Sequence, residues 1–297
     1  MKTLSFGEIL WDIFPDSRCL GGAPLNVAGH LARLGFESFI ISSVGNDELG
    51  KEALHQMTRN NVNTQYVYTH PEKPTGFTEI KLTKGIPEYE FNFPCAWDYI
   101  GLSEADLKAI DSTGWDLFCF GTLAQRSVVT LSTLKRLLPS LDVKIVFFDV
   151  NFRKSFYSKE ILEWSFTHCD IIKMNDEESP VIQNIMGMDA MSEKDFYFSM
   201  IEKFNLKGIL VTRGKEGVSA FFEGKEFSQK PSDVTVVDTV GAGDSFSAAF
   251  LASLLAGKDV PESLLVATAL ADYVVSHSGA LPEYDSAITL KLAEIIR

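Results

Sequence analysis

Short apolar segments recur along this chain of 297 residues, and each ends at a glycine or a polar residue before a stretch with helical periodicity. The segments are LSF before Gly7, FIISSV before Gly45, LFCF before Gly121, KIVFFDV before Asn151, DIIKM before Asn175 and GILVT before Arg213. Strands buried on both faces have this apolar character, and their alternation with helices is typical of right-handed βαβ units. We therefore expect an α/β fold in which helices flank a central, mostly parallel sheet. In such folds ligands bind at the carboxyl edge of the sheet.

Residues 75–93 depart from this pattern. TGFTEIKL and YEFNF alternate in residue type around a Gly-Ile-Pro turn, and Tyr89, Phe91 and Phe93 share one face. This alternation predicts an antiparallel hairpin with one solvated face. Together with LWDIFPDSRCL, it predicts a small β lid beside the main sheet. The expected division is a core of residues 1–10, 21–65 and 100–297 and a lid of residues 11–20 and 66–99.

Composition limits the partners of the chain. The net charge of −13 argues against nucleic acid or an anionic membrane surface. No apolar run approaches the length of a membrane span, and the N-terminus lacks the features of a secretory signal. The cysteines have no C-x-x-C spacing, which favours reduced thiols; they are Cys19, Cys95, Cys119 and Cys169. We therefore expect a cytoplasmic protein that binds neither nucleic acid nor membranes.

The segment GNDELGKE at residues 45–52 matches part of a P-loop. Glu52 stands where a Ser or Thr should reach magnesium, and Asp47 and Glu48 place negative charge where phosphate would bind. An acidic first turn of a helix explains the segment better.

The segment DTVGAGDSF at residues 238–246 combines small residues with an aspartate at the start of a predicted helix. Gly241 and Gly243 fit half of a dinucleotide fingerprint, but Phe246 occupies the third glycine position, which disfavours a dehydrogenase. Unshielded backbone amides at a helix start form a pocket for an anion. Asp244 would repel a bound phosphate, so it suits a base that faces a hydroxyl while the amides hold a transferring phosphoryl group. The alternative is that Asp244 caps the helix.

A second constellation is LGGAPLNVAGHLARLG at residues 20–35. Gly21 and Gly22 permit a tight turn, and Asn26 supplies both a donor and an acceptor. Such a turn, with Asp12 shortly upstream, suits a polyhydroxylated ligand. The alternative is a helix start with Asn26 as its cap.

Together these two stretches resemble the signature motifs of the ribokinase-like, or pfkB, carbohydrate kinase family. GGAPLNVA is similar to the N-terminal signature and DTVGAGDSFSAAF to the C-terminal one, and their order and separation agree with the family. FGEILWDIFP followed by GGAPLNVA is most similar to the fructokinase branch. The resemblance implies a three-layer ribokinase-like fold and an ATP-dependent, magnesium-dependent sugar kinase.

The resemblance also implies roles for individual residues. Asp244 would be the catalytic base, and the sugar would contact Asp12, Gly22 and Asn26. The anion hole would be formed by the amides of Gly241, Ala242 and Gly243. In DVNFR, Arg153 would contact the sugar or the transferred phosphate, because its planar fork suits either partner. Arg126 has a similar location after FGTLAQ.

The nucleotide side follows from the same resemblance. Asn175 and Glu178 match the N-x-x-E element, which orders magnesium and phosphates largely through water. Thr212, Gly214 and Gly217 match a segment that lines the nucleotide site. Some members of the family bind a monovalent cation such as K⁺, and here Asp238 and the turn at residues 276–280 would be the counterparts.

We therefore expect transfer of the γ-phosphoryl group to a primary hydroxyl of a fructose-like sugar. Other acceptors remain open: 2-keto-3-deoxygluconate, ribose or a nucleoside. A sugar or nucleotide sensor without turnover is an alternative on the same fold. Exposed strand edges of the lid predict a homodimer.

Overall fold

The computed structural model describes residues 1–83 and 86–296. The strands are β1 (Lys2–Phe6), β2 (Leu10–Ile13), β3 (Arg18–Gly21), β4 (Glu37–Gly45), β5 (Val67–His70), β6 (Gly76–Thr83), β7 (Ile86–Phe91), β8 (Trp115–Gly121), β9 (Val143–Asp149), β10 (Ile171–Asn175), β11 (Gly208–Thr212), β12 (Val218–Phe222) and β13 (Lys225–Gln229). The α-helices are α1 (Ala23–Arg33), α2 (Glu48–Arg59), α3 (Glu104–Asp111), α4 (Val128–Leu137), α5 (Lys159–Thr167), α6 (Glu178–Ile185), α7 (Glu193–Phe204), α8 (Ala242–Leu255), α9 (Val260–Val275) and α10 (Ser286–Ile296).

A large sheet with the strand order β13-β12-β11-β10-β9-β8-β1-β4-β5 forms the centre of the molecule. Pairing is parallel from β5 to β11 and antiparallel at β12 and β13. The apolar segments of the sequence form the contiguous run β11, β10, β9, β8, β1 and β4. The predicted α/β fold with a mostly parallel sheet is confirmed.

Helices cover both faces of this sheet. Along β8, Leu117 and Cys119 belong to a core that includes buried residues of α1, α8 and α9. Phe118 and Phe120 belong to a second core, with buried residues of α4, α5 and α7. Successive side chains of a strand point to opposite faces, so both faces of the sheet are buried. This explains why the strands are apolar throughout rather than alternating.

A small sheet with the order β3-β2-β6-β7 lies beside the large one. Its strands β6 and β7 form the predicted antiparallel hairpin, and β2 pairs with β6 in parallel. Gly85 of the predicted turn and the side chain of Tyr89 lie outside the described residues. The predicted lid range 66–99 begins too early, because β5 at Val67–His70 pairs with β4 in the large sheet.

The segment that mimics a P-loop is a helix start, as expected. Asp47 is the N-cap of α2, and its Oδ1 accepts a hydrogen bond of 2.8 Å from the backbone N–H of Gly50. Within residues 1–83 and 86–296, no helix has both the length and the apolar character needed to cross a bilayer.

Candidate active site

A cleft of about 480 Å³ lies at the carboxyl ends of the central strands and beside the small sheet. The small sheet contributes Thr78 and Phe91 to its walls. The residues predicted from the sequence that line it are Asp12, Gly22, Asn26, Arg153, Asn175, Glu178, Thr212, Gly241, Gly243 and Asp244. Residues from both signature motifs therefore meet in one cavity.

Asp244 lies in the first turn of α8. Its Oδ2 accepts a hydrogen bond of 2.7 Å from Nδ2 of Asn26, which is 218 positions away in the chain. Gly241 occupies the N-cap position of α8, and no side chain caps this helix. The capping alternatives are wrong: Asn26 lies within α1, whose N-cap is Gly22, and Asp244 bonds across the cleft.

The loop before α8 requires glycine at position 241. Gly241 has a left-handed φ of 78°, and a Cβ there would lie 2.6 Å from the Cα of Ala280. Since this conformation is strained for other residues, a side chain would have to displace the neighbouring turn. The close approach leaves the amides at the start of α8 unshielded at the positive end of the helix dipole. An anion fits this position.

The surroundings of Asp244 favour its neutral form. Burial and the negative charge of Asp149 raise the pKa of Asp244, while the Asn26 hydrogen bond, Lys173 and Arg153 oppose this increase. A carboxylate with a raised pKa is a stronger base than a solvated one. The site therefore suits Asp244 to accept a proton.

Lys173 was not identified from the sequence. Its ammonium group is 2.7 Å from Oδ2 of Asp149, and both side chains are buried. Nζ lies 3.2 Å from where a Cβ on Gly243 would be, so the charge is beside the loop that precedes Asp244. A lysine within the apolar segment DIIKM was the available signal, because buried charges need a partner.

Asn175 and Glu178 bind backbone groups. Oδ1 of Asn175 accepts 2.8 Å from the N–H of Glu178. The two carboxylate oxygens of Glu178 accept 2.6 Å from the N–H of Phe152 and 2.8 Å from that of Asn175. Burial and Asp149 raise the pKa of Glu178. These contacts join the loops that follow β9 and β10.

A metal centre made only of protein ligands is absent from the described ranges, where no three His, Cys, Asp or Glu side chains form a suitable group. Magnesium commonly keeps several waters and binds through substrate phosphates with one or two carboxylates. Glu178, Asn175 and the uncapped start of α8 line the cleft and fit that form of binding.

The end of the cleft near the small sheet contains further acidic groups. Burial raises the pKa of Asp12 to about 6, and Arg153 opposes this shift. Burial also raises the pKa of Glu8 to about 7. Glu8 was not selected from the sequence, although it follows β1 at the carboxyl edge of the sheet. Arg153 is exposed and lines the same cleft.

Four predicted residues lie outside the lining of the cleft: Ala242, Gly214, Gly217 and Asp238. Gly214 and Gly217 flank a short turn between β11 and β12. Asp238 accepts 3.0 Å hydrogen bonds from the N–H groups of Val240 and Gly279. These bonds bring Asp238 to the turn at residues 276–280, its predicted counterpart in a monovalent-cation site.

Arg126 also lies away from the cleft. Its guanidinium group pairs with the carboxylate of Asp98 through Nε–Oδ1 and Nη2–Oδ2 distances of 2.8 and 2.9 Å, and both side chains are 1% exposed. The centroid of the Trp97 ring lies 3.9 Å from its guanidinium carbon. Arg126 therefore links the segment after β7 to the core.

Comparison with known proteins identifies the chain at the level of its family. Residues 17–286 match the pfkB family carbohydrate kinase domain. The chain belongs to the pfkB family. It is 31% identical over 272 residues to a fructokinase of Salmonella typhimurium, with 86% of this chain and 85% of that protein covered. A fructokinase of Klebsiella pneumoniae is 30% identical, with 89% and 87% covered. Membership of the pfkB family makes the chain a sugar kinase, a phosphotransferase with an alcohol acceptor.

Other pfkB proteins are also similar. A 5-dehydro-2-deoxygluconokinase of Clostridium beijerinckii is 28% identical, with 87% of this chain and 79% of that protein covered. Among solved structures, a Vibrio cholerae fructokinase with fructose, ADP and calcium bound superimposes with a TM-score of 0.82 at 21% identity, covering 100% of this chain and 99% of that chain. At this identity the similarity shows the fold, and it confirms the predicted ribokinase-like architecture.

Proposed function

We propose that the chain is an ATP-dependent fructokinase that transfers the γ-phosphoryl group to a primary hydroxyl of a fructose-like sugar. Asp244 is the base, and the amides of Gly241, Ala242 and Gly243 are the anion hole. The observation that carries the proposal is the 2.7 Å bond between Asn26 and Asp244 inside the cleft. It places the sugar-side motif and the proposed base within one hydrogen bond of each other. The fructokinase relatives at about 30% identity support the same acceptor.

In the proposed reaction Asp244 accepts the proton of the acceptor hydroxyl. The hydroxyl oxygen forms a bond to the γ-phosphorus as the bond from this phosphorus to the β–γ bridging oxygen breaks, and ADP leaves with that electron pair. The amides at the start of α8 and the ammonium of Lys173 stabilise the charge on the transferring group. Partial enclosure of the site by the small sheet limits transfer to water.

The proposed nucleotide site is on the side of β10 and β11, with Thr212, Gly214 and Gly217 near the phosphates or base. Asn175 and Glu178 order magnesium through water, and magnesium when bound neutralises phosphate charge. Asp238 and the carbonyl groups of residues 276–280 hold a monovalent cation such as K⁺. Carboxylate oxygens that accept one N–H bond each keep lone pairs for a cation.

The acceptor sugar occupies the other end, against Asp12, Gly22 and Asn26, with Arg153 at the rim. A second candidate acceptor is a sugar acid such as 2-keto-3-deoxygluconate. Lys154 lines the cleft beside Arg153, and both are exposed, which favours a carboxylate on the acceptor.

A panel of acceptors tests the proposal. ADP release is measured with ATP and fructose, 2-keto-3-deoxygluconate, ribose or a nucleoside, and we expect the highest kcat/KM with fructose. A higher kcat/KM with 2-keto-3-deoxygluconate would change the proposed acceptor and leave the proposed phosphoryl transfer unchanged. Sugar binding without ADP release would indicate a sensor and overturn the proposal. The proposal also includes a cytoplasmic location and a homodimer formed through the lid. Measurement of the molar mass in solution tests the homodimer.

A further inference from the structure

Glu8 is a buried carboxyl group in the cleft that the proposed reaction does not use. It lies between β1 and β2 and is 3% exposed. Its Oε2 has no hydrogen-bond partner among the described residues. A buried polar atom without a partner costs free energy, so a group in this position calls for an explanation.

Asn26 presents a second atom of the same kind. Its Nδ2 donates to Asp244, but its Oδ1 is buried and has no partner within the described part of the chain. Glu8 and Asn26 both line the cleft. Oδ1 of an amide only accepts hydrogen bonds, so it needs a donor. Lys173 does not donate to this oxygen; its ammonium group donates to Oδ2 of Asp149.

A neutral carboxyl group on Glu8 supplies such a donor. Burial raises the pKa of Glu8 to about 7, and the charge of Asp244 adds to this shift, while hydrogen bonds from the backbone of Glu8 and Ala23 and the charge of Arg153 oppose it. The charged groups that line the cleft around it are Asp12 on β2, Asp149 at the end of β9, Arg153 and Lys154 after β9, Lys173 on β10, Glu178 on α6 and Asp244 on α8. Acidic groups exceed the basic ones in this set, which favours a proton on the most buried acid.

We propose that Glu8 is a positioning residue whose protonated carboxyl group donates to Oδ1 of Asn26, directly or through one water, and thereby keeps Nδ2 of Asn26 directed at Asp244. The contact matters during turnover. When Asp244 takes up a proton from the acceptor hydroxyl, its attraction for the Asn26 amide weakens, and the amide group could rotate. A donor on Oδ1 holds the orientation in both protonation states of Asp244. This role rests on the proposed function of Asp244 as base.

Kinetics of Glu8→Leu and Glu8→Gln test the role. Leucine removes the donor, so we expect kcat to fall by roughly 10- to 100-fold, while KM for ATP stays within about twofold. Glutamine has an N–H that can donate, so kcat should stay within about threefold of the wild type. Val27→Ala is the matched control for altered packing, because Val27 lines the small pocket beside Glu8 and makes no polar contact. Its kcat should stay within about twofold.

The proposal is overturned if Glu8→Leu keeps a kcat within threefold of the wild type, or if Glu8→Gln loses as much as Glu8→Leu. Two measurements do not depend on activity. The infrared difference between wild type and Glu8→Gln at pH 6 should contain the carbonyl stretch of a protonated carboxyl group. A crystal structure of the wild type should show Glu8 linked to Oδ1 of Asn26 by a hydrogen bond or by one water.

A difference spectrum without that band, or a crystal structure with Glu8 turned away from Asn26, refutes the inference even if no variant is active. These readouts also separate the two proposals. A protein that phosphorylates no sugar but shows the protonated link would contradict the proposed function alone. Rapid phosphorylation without the link would contradict the role of Glu8 alone.

Discussion

Asp244 and Glu178 are both carboxylates in the first turn of a helix at the same cleft, but the structure uses them differently. Asp244 receives a hydrogen bond from one side chain, Asn26, across the cleft. Glu178 accepts two backbone N–H groups, from Phe152 and Asn175, with its two oxygens. A carboxylate held by one neutral amide keeps lone pairs for a substrate proton, whereas one that joins two loops is part of the framework. Although both residues lie in the first turn of a helix, we expect replacement of Asp244 to reduce activity more than stability. Replacement of Glu178 should reduce stability more than activity.

Replacing Asp244 should have the largest effect, and the effect should be on the rate. Asp244→Asn removes the proton acceptor and keeps the shape, so we expect kcat to fall by about 10²- to 10⁴-fold with little change in unfolding. Steady-state kinetics and thermal unfolding measure the two quantities. Asp233→Asn, at an exposed position, is the control. A near-normal kcat in Asp244→Asn would contradict its assignment as base.

Replacing Glu178 should affect stability more than the rate. Glu178→Ala leaves two backbone N–H groups without their acceptor, so the free energy of unfolding should fall by about 2–4 kcal/mol. The loss of kcat should be smaller than in Asp244→Asn. Urea unfolding of this variant and of Glu177→Ala, the exposed neighbour, makes the comparison. Equal stability of the two variants would show that the bonds of Glu178 are not structural.

Much of this arrangement could be predicted because it is local in the sequence. Apolar segments predicted strands, and small residues before a helix predicted the loop of Asp244. The approach of Asn26 to Asp244 spans 218 positions and followed only from the paired motifs. The role of Glu178 as a bridge between two loops could not be predicted, since its partners are backbone groups whose positions depend on the folded chain.

The errors have a physical cause in long-range pairing. Arg126 follows a buried strand, as Arg153 does, but its partner Asp98 comes from the segment after β7 and takes it into the core. Lys173 was overlooked because its strand is otherwise apolar, and its charge is compensated by Asp149 on the neighbouring strand. Charged residues near strand ends are therefore ambiguous until their partners are known.

The electrostatic surroundings of Asp244 can be tested through the pH dependence of stability. Burial raises the pKa of Glu8 from 4.5 to about 7, and the negative charge of Asp244 adds to this shift. The folded state thus binds this proton more tightly than the unfolded state. The stabilisation is complete below pH 4.5 and is lost as the pH rises through 7, by about 1.4 kcal/mol per pH unit at most.

Glu8→Gln has no proton to lose at this position. Its free energy of unfolding, relative to the wild type at the same pH, should therefore increase by about 2–3 kcal/mol between pH 4.5 and 8. Asp12 and Asp244 titrate in both proteins, so the difference isolates Glu8. Urea unfolding at closely spaced pH values measures it. A difference that does not change with pH would show that Glu8 is ionised in the folded protein.

The smallest expected effect concerns the loop that carries Asp244, and two glycines at opposite ends of α8 form a matched pair. Gly241 and Gly257 both have left-handed φ values, 78° and 85°, so alanine introduces similar backbone strain at each. A Cβ at Gly257 meets nothing within 4 Å, whereas one at Gly241 would lie 2.6 Å from the Cα of Ala280. Gly241→Ala should therefore lose about 1–3 kcal/mol more stability than Gly257→Ala.

The same two variants distinguish an effect on phosphate binding from an effect of general strain in the helix. Gly241→Ala moves the amides that would hold phosphate, so its KM for ATP should rise by about tenfold while that of Gly257→Ala stays unchanged. Unfolding in urea and initial rates at varied ATP are the two measurements. Equal losses of stability and an unchanged KM in both variants would show that the turn at Ala280 can move to accommodate a side chain at position 241. The pocket at Asp244 would then owe its shape to the helix dipole and the Asn26 bond rather than to the close approach at Gly241.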